Sequence, residues 1–395
     1  MCKPIIPITE FKERISKLKI MMQEKGFDAL LVYGDEYRKE NLRYVSNYWP
    51  IFERGAMLLS LDGEPIVLCA PEGQKLAEEM SAWKDIRLLP NFLCVTVPDE
   101  IDYPYAHYTS FGDLSNELSA KRPMKKLGIS GMDAMSEGLL ETIRKSFQTE
   151  IVNANNLLFT MRMEKSKNEI ACITEAARIA DAAYHAMMDA NLIGLTELQA
   201  AGIAEHEARK QGAEHIIFTV FGSGDRSASI VGRPTRKIIK DGDMIMCALA
   251  VQYEGYVATC EVPFAVGNMG TETKRVIDVL IRAHKAGCTF LKAGEPMKNF
   301  VRAVKQVFSD EGLSQYDVYP PLHGIGCAEA ESPYPDENEQ APFRAGMTVN
   351  TDISLFGFSG GSNRIEEGYV ITESGADSLS PLVKSYCETW LKMNT

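Results

Sequence analysis

The chain has 395 residues, of which 45% are hydrophobic and 24% charged, and its formal net charge is −12 at pH 7. This length exceeds what one hydrophobic core usually supports, so two domains are predicted. The basic residues are scattered and no apolar run approaches about 18 residues, so we expect neither a nucleic-acid partner nor a membrane span.

The first elements predict an α/β domain. Ile15, Leu18 and Met22 recur at helical spacing, and a short apolar run at 29–33 is typical of a buried strand. Two further runs flank Asp62 and Gly63 and predict a β-hairpin. We assign residues 1–158 to this first domain.

The second predicted domain, residues 159–395, opens on a long helix. Ser166 and Glu169 have the spacing of a capping box, and the apolar positions of 170–187 repeat at helical intervals. A second helix is predicted from Thr196. Further helices are predicted at 273–292 and 298–311, and strands at 244–258, 261–266, 347–355 and 365–371. An antiparallel sheet with helices on one face is an α+β architecture.

Cysteine usage indicates the compartment. The nine cysteines form no C-x-x-C pair and most lie in apolar stretches, as Cys69 does. Such thiols are typical of buried side chains in a reducing environment. The first seven residues do not have the pattern of a signal peptide. We therefore expect a cytoplasmic protein.

Motifs in a fixed order resemble those of the creatinase/prolidase/aminopeptidase P family, the pita-bread or M24 family. They are Arg162-x-x-Lys165-Ser166-x-x-Glu169, Gly222-Ser223-Gly224, Gly242-Asp243, His323-Gly324-Ile325-Gly326 and Arg364-Ile365-Glu366-Glu367. The resemblance covers nearly the whole chain. It implies a smaller creatinase-type α/β domain at the N-terminus and a pita-bread domain at 159–395.

Members of this family that use metals hold two divalent ions with two Asp, one His and two Glu. The resemblance places Ala248, Thr259, His323, Asp352 and Glu366 at those positions. Alanine offers no donor to a cation, and a threonine hydroxyl is a weak neutral ligand. We therefore predict no metal and no other cofactor. A single divalent ion on His323, Asp352 and Glu366 is kept as the minority alternative.

Creatinase is a relative that works without a metal, and some of its features have counterparts here. Phe52 and Arg54 resemble a creatinase loop that reaches across a homodimer into the partner's active site. Glu261 stands where creatinase has a glutamate that binds the substrate's guanidinium. Thr259 and Glu261 are two residues apart on a predicted strand, so both point to the same face, and Asp352 stands at the position of another substrate-binding glutamate.

One departure concerns the proton carrier. The histidine that the family has just before Gly232 is replaced by Val231, which cannot transfer protons. His323 is then the predicted proton carrier. We predict His323, Glu261 and Glu366 as catalytic. The predicted substrate-binding residues are Asp352, Glu331, Phe52, Arg54 and Thr259. Glu331 and Glu366 have a competing interpretation, an internal ion-pair network with Arg364.

Three functions follow from these residues. The first is a metal-independent, creatinase-like hydrolase that cleaves a C–N bond in a small zwitterionic, guanidino or amino-acid-like compound. The second is an Xaa-Pro dipeptidase-like or aminopeptidase P-like metallopeptidase with a reduced metal site. The third is a non-catalytic pita-bread protein that binds a ligand or partner. The residues favour an enzyme with a small-molecule substrate, and the family resemblance implies a homodimer.

Overall fold

A computed structural model of the chain describes residues 3–93 and 103–394. The chain forms two compact units. One comprises Ile6–Arg162, and the other comprises Met163 onward together with the residues before Ile6.

The N-terminal unit is built on a six-stranded sheet of order β4-β3-β2-β1-β5-β6. Its strands are β1 Ala29–Asp35, β2 Arg54–Ser60, β3 Ile66–Cys69, β4 Asp85–Leu88, β5 Lys126–Ser130 and β6 Glu150–Asn153. Its helices are α1 Ile8–Glu24, α2 Glu40–Ser46, α3 Gln74–Met80, α4 Phe111–Lys121, α5 Glu137–Phe147 and α6 Asn155–Met163. Strand β1 pairs antiparallel with β2 and parallel with β5, so the sheet is mixed.

The predicted hairpin and first helix are present. Strands β2 and β3 pair antiparallel, with Met57 opposite Val67. In α1, Ile15, Leu18 and Met22 are buried, as their helical spacing indicates. Leu31, Leu58, Leu68 and Ile129 belong to one buried cluster in this unit. The α/β architecture predicted for the first part of the chain is confirmed.

The C-terminal unit contains two four-stranded sheets and five helices among the described residues. Its helices are α7 Lys167–Met188, α8 Glu197–Gln211, α9 Thr271–Cys288, α10 Met297–Asp310 and α11 Pro381–Asn394. Its strands are β7 His215–Ser223, β8 Met244–Tyr253, β9 Tyr256–Cys260, β10 Phe264–Ala265, β11 Leu322–Gly324, β12 Thr348–Leu355, β13 Asn363–Ile371 and β14 Ala376–Ser378. One sheet has the order β10-β8-β7 with β9 paired to β8, and the other has the order β11-β12-β13-β14. The predicted α+β architecture is confirmed.

Local side-chain chemistry accounts for where α7 and α8 begin. The Ser166 hydroxyl accepts a hydrogen bond from the backbone N–H of Glu169, and the Glu169 carboxylate accepts one from the backbone N–H of Ser166. Thr196 and Gln199 form the same reciprocal pair at α8. Each capping box satisfies two backbone donors that a helix N-terminus otherwise leaves without partners.

The predicted single strand over 244–258 was wrong. Strands β8 and β9 are two arms of a hairpin, because the chain turns at Glu254 and Gly255, whose φ angles are 49° and 84°. Two consecutive left-handed residues are the signature of a tight hairpin turn. The run 261–266 is also shorter than predicted, since only Phe264–Ala265 forms a strand there.

The sheets place polar side chains at neighbouring positions. In the β12–β13 ladder, Asp352 lies opposite Glu366. In the β11–β12 ladder, His323 lies opposite Asn350. An isolated antiparallel bridge between Glu261 and Glu366 brings the end of the β8–β9 hairpin beside β13. Among the described residues, none of the helices combines the length and apolar character required to cross a membrane.

Candidate active site

Three carboxylates meet around one guanidinium in the C-terminal unit. Glu261, Asp352 and Glu366 come from three neighbouring chain segments, and each is at most 3% exposed. Arg364 precedes Glu366 by two residues on β13, so both side chains point to the same face of the sheet. The strand register therefore places Arg364 on the same face of the sheet as the carboxylates.

The Arg364 guanidinium is the cation at the centre of this cluster. Its Nε lies 2.7 Å from Oε2 of Glu261 and 3.1 Å from Oε1 of Glu366. One of its terminal nitrogens lies 3.6 Å from Oδ1 of Asp352. The Asn350 amide donates a further hydrogen bond, 3.0 Å long, to Oε2 of Glu366. Arg364 is thus held in place by charge and by geometry.

The cluster carries more negative than positive charge, with three carboxylates facing one guanidinium. Burial raises the pKa of Glu261 to about 7, although Arg364 acts in the opposite direction. Burial also raises the pKa of Glu366 and of Asp352, and Arg364 opposes it in both cases. Oε1 of Glu261 and Oδ1 of Asp352 have no hydrogen-bond partner within the described parts of the chain. Such a site favours binding of a proton or a positively charged ligand.

His323 lies beside this cluster and is oriented by its own loop. Its Nδ1 is 2.9 Å from the carbonyl oxygen of Gly324, which can only accept a hydrogen bond, so Nδ1 carries a proton and donates. Nε2 faces Glu329, with Oε1 at 3.8 Å. The Thr259 hydroxyl donates to the same Glu329 oxygen at 3.1 Å. In the neutral imidazole, Nε2 is therefore free to accept a proton.

Several of these groups line a cavity of about 890 Å³. His323, Glu329, Asp352, Arg364 and Glu366 all line it. The remainder of the wall is mainly apolar or aromatic, and its members include Phe218, Val220, Val231, Pro234, Tyr319 and Tyr334. A concave site with an apolar wall and a few convergent polar groups is typical of small-molecule binding.

The residues at this site do not fit a bound metal ion. Ala248, at one of the predicted ligand positions, offers no donor, and the Arg364 guanidinium lies between the carboxylates that would have to converge on a cation. Across residues 3–93 and 103–394, no three His, Cys, Asp or Glu side chains are arranged to hold an ion. His323, Asp352 and Glu366, the predicted single-ion set, are not arranged as such a group.

The structure brings together most of the predicted site residues but not all of them. Glu261 accepts a hydrogen bond from the cavity residue Arg364, and Thr259 donates one to the cavity residue Glu329. Glu331 lies outside the cavity lining, because Lys165 Nζ holds its Oε1 at 2.8 Å in a buried pair. The two predicted loop residues lie in the N-terminal unit. There Phe52 is 73% exposed, and Arg54 donates a 3.3 Å hydrogen bond to the carbonyl of Asn91.

The sequence did not identify Glu329 as a site residue. It assigned Arg364 only a structural role, in an internal ion-pair network. Glu329 stands two residues before Glu331, and nothing in the sequence distinguished the two carboxylates. The motif around Glu366 included Arg364, but the strand register was needed to show which acids it contacts. Tyr319 and Tyr334, which line the cavity, carried no local signal that separated them from other exposed tyrosines.

Comparisons with known proteins agree with this architecture. The model of metallopeptidase family M24 matches residues 171–373, and that of the creatinase/prolidase N-terminal domain matches residues 14–164. An Xaa-Pro dipeptidase of Pyrococcus furiosus is 25% identical over 371 residues, 93% of this chain and 98% of the relative. An uncharacterized peptidase of Bacillus subtilis is 29% identical over 364 residues, 92% of this chain and 96% of the relative.

Solved structures show the same fold. A prolidase from Pyrococcus horikoshii superposes with a TM-score of 0.79 at 23% identity, covering 93% of this chain and 98% of that one. An X-Pro aminopeptidase from Thermotoga maritima gives a TM-score of 0.79 at 22% identity, covering 93% and 97%. The predicted family resemblance and two-part architecture are confirmed.

The comparisons overturn the first functional prediction. The matching family is one of metallopeptidases and the relatives include Xaa-Pro dipeptidases, so the prediction of a metal-independent, creatinase-like hydrolase was wrong. For the same reason, the prediction that no cofactor is used was wrong. The alternative of an Xaa-Pro dipeptidase-like hydrolase with a reduced metal site agrees better with these relatives.

Proposed function

The chain belongs to metallopeptidase family M24, a family of hydrolases acting on C–N bonds, and from this premise we propose that it is an Xaa-Pro dipeptidase-type hydrolase. The substrate is a small dipeptide that binds in the cavity of the C-terminal unit. The observation that supports this proposal most directly is that His323, Glu329, Asp352, Arg364 and Glu366 line one cavity with a mainly apolar wall.

The charges of the cavity suit the two ends of a dipeptide. Glu329 and Asp352 offer carboxylates to the substrate's ammonium group, in a cluster that has excess negative charge. Arg233, on the exposed part of the lining, offers a guanidinium to the substrate's carboxylate. The pyrrolidine ring of a proline residue packs against the apolar wall near Val231 and Tyr319. The dipeptide is thereby fixed at both ends and at its ring.

His323 is the group proposed to handle the proton. Because Nδ1–H donates to the carbonyl of Gly324, Nε2 is the atom that accepts a proton from water and returns it to the leaving nitrogen. Glu329 faces Nε2 and stabilises the imidazolium that forms. Arg364 keeps Glu366 and Glu261 in fixed positions behind the substrate.

We further propose that the protein works as a cytoplasmic homodimer. The segment that carries Phe52 and Arg54 supplies these side chains to the partner's cavity. Phe52 supports this assignment because its side chain is 73% exposed, so a partner surface that covered it would bury apolar area.

A second function is supported by one observation, the position of Arg364. Its guanidinium lies among the carboxylates Glu261, Asp352 and Glu366, where catalytic relatives with a full ligand set would hold cations. A protein of this kind binds a dipeptide without cleaving it. Turnover distinguishes this binding function from the hydrolase.

The test is proline release from a panel of Xaa-Pro dipeptides, measured by mass spectrometry with the full chain. Each reaction is run after chelation and again with added Mn²⁺, Co²⁺ or Zn²⁺. Proline release in any of these conditions supports the hydrolase, and its dependence on an added ion shows whether a metal takes part. Binding of a dipeptide by calorimetry without turnover in any condition favours the binding function. Neither binding nor turnover with any member of the panel overturns the proposal.

A further inference from the structure

A second cavity of about 400 Å³ lies beside the first in the C-terminal unit. The two cavities share Tyr319, Pro320 and Tyr334, which form a wall common to both. The side chains of Tyr319 and Tyr334 therefore lie between a group bound in the first cavity and the second cavity. Apart from these three shared residues, the lining of the second cavity does not belong to the site around Arg364.

Asp317 is the buried polar group of the second cavity. Its side chain is 7% exposed and lines the cavity, where it forms an ion pair rather than a hydrogen bond. Lys305 is its ion-pair partner, but the distance from Nζ to Oδ2 is 3.9 Å, too long for a hydrogen bond. Burial raises the pKa of Asp317 to about 6. A carboxylate that is desolvated and incompletely paired gains from a second cation.

The other charged side chains of the second cavity also favour a cationic ligand. Asp336 and Glu337 also line this cavity, so its lining carries three carboxylates and one ammonium, that of Lys305. Lys305 is shared, because its Nζ also lies 3.5 Å from Glu337. The local net charge is therefore negative even with Lys305 in place.

The rest of the lining is apolar and suits an aliphatic stem. Val301, Val318, Pro321 and Pro335 contribute hydrocarbon surface, and the shared tyrosines contribute ring faces. Lysine and arginine side chains combine a hydrocarbon stem with a cationic head, and they pack their stems on such surfaces. A neutral apolar side chain would leave Asp317 with only its 3.9 Å ion pair to Lys305.

We propose that this second cavity binds a cationic side chain, an amine or guanidine on an aliphatic stem, of the substrate whose backbone lies in the first cavity. The inference rests on the proposed function, since it assigns the substrate's side chain to a subsite. Lysine- and arginine-containing dipeptides are thus the preferred substrates. Asp317 is the specificity-determining residue.

The test compares lysylproline with norleucylproline, which has the same stem without the charge, by isothermal titration calorimetry. Wild-type protein is expected to bind lysylproline about tenfold more tightly, the effect of one charge-assisted hydrogen bond. Asp317→Asn removes this preference and leaves the affinity for norleucylproline unchanged. Lys305→Met acts in the opposite direction and strengthens lysylproline binding, because a competing cation is gone. Asp310→Asn, an exposed change at the end of the same helix α10, is the matched control.

A second probe separates this inference from the proposed function. n-Pentylamine fills the second cavity without requiring the first, and its binding is followed by saturation-transfer NMR against pentanol. Binding of pentylamine that Asp317→Asn abolishes supports the inference even if no dipeptide is cleaved. Equal affinity for both dipeptides together with pentylamine binding that is unaffected by Asp317→Asn overturns it.

Discussion

The guanidinium Nε of Arg364 lies 2.7 Å from Oε2 of Glu261, and both side chains are at least 95% buried. Residues 103 positions apart in sequence thus form the central ion pair of the candidate site. Since the same guanidinium also contacts Glu366 and Asp352, the consequences of removing it are specific and testable.

Arg364→Met is expected to lower the free energy of unfolding of the C-terminal unit by about 3–5 kcal/mol at pH 8, because it leaves buried carboxylates without their cation. At pH 5 the loss is expected to be smaller, since the carboxyl groups with raised pKa are then protonated. Urea denaturation followed by circular dichroism measures both values. Lys210→Met, which breaks the exposed pair with Glu207, is the control and is expected to change stability by less than about 1 kcal/mol. Equal effects of the two changes would contradict the buried pair.

Glu261 should make the stability of the protein fall as pH rises toward neutrality. Its pKa is raised to about 7 from the ordinary 4.5, so the folded protein retains a proton that the unfolded chain releases between these values. The stabilisation is complete below pH 4.5 and is lost as pH rises through 7. Glu261→Gln keeps the shape and removes the titration.

The free energy of unfolding is expected to decline between pH 5 and 7. In Glu261→Gln this decline should be shallower by up to about 1.4 kcal/mol per pH unit. Urea denaturation at a series of pH values measures it. Glu373→Gln, at an exposed carboxyl, should leave the slope as it is in the wild type. Parallel curves for wild type and Glu261→Gln would show that Glu261 does not titrate in this range.

His323→Gln should separate chemistry from binding. Glutamine retains a polar side chain but cannot carry a proton near neutral pH, so kcat for proline release is expected to fall by about a hundredfold or more. The Kd for the dipeptide, from calorimetry, should change by less than threefold, which is within about 0.7 kcal/mol. His206→Gln, at an exposed histidine of α8, serves as the control. Unchanged kcat in His323→Gln would remove His323 from the proposed mechanism.

Ser166→Ala tests the start of α7. Loss of the hydroxyl that accepts from Glu169 N–H is expected to cost about 1 kcal/mol, the usual contribution of an N-cap. Thermal unfolding gives the difference as a lower Tm. Thr174→Ala, an exposed position on the same helix, is the control and should stabilise slightly or have no effect, because alanine has the higher helix propensity. A Tm unchanged by Ser166→Ala would mean that Glu169 and its other contacts hold the helix end alone.

The sequence alone was sufficient for the elements whose causes are local. The capping box of Ser166 and Glu169 involves residues three apart, and the hairpin formed by β2 and β3 follows from turn residues between two apolar runs. The turn at Glu254 and Gly255 was missed because a continuous apolar pattern continues on both sides of it. Periodicity does not register a two-residue reversal inside such a pattern.

The ordered motifs likewise determined the family and the two-part architecture, because they record positions along the chain. Only the tertiary structure decided which charges meet. Glu331 and Glu329 differ by two positions, yet one pairs with Lys165 and the other faces His323. Arg364 reaches Glu261 through the bridge between β13 and the end of the β8–β9 hairpin. Electrostatic energy depends on distance and burial, and both are set by strand register between segments far apart in sequence.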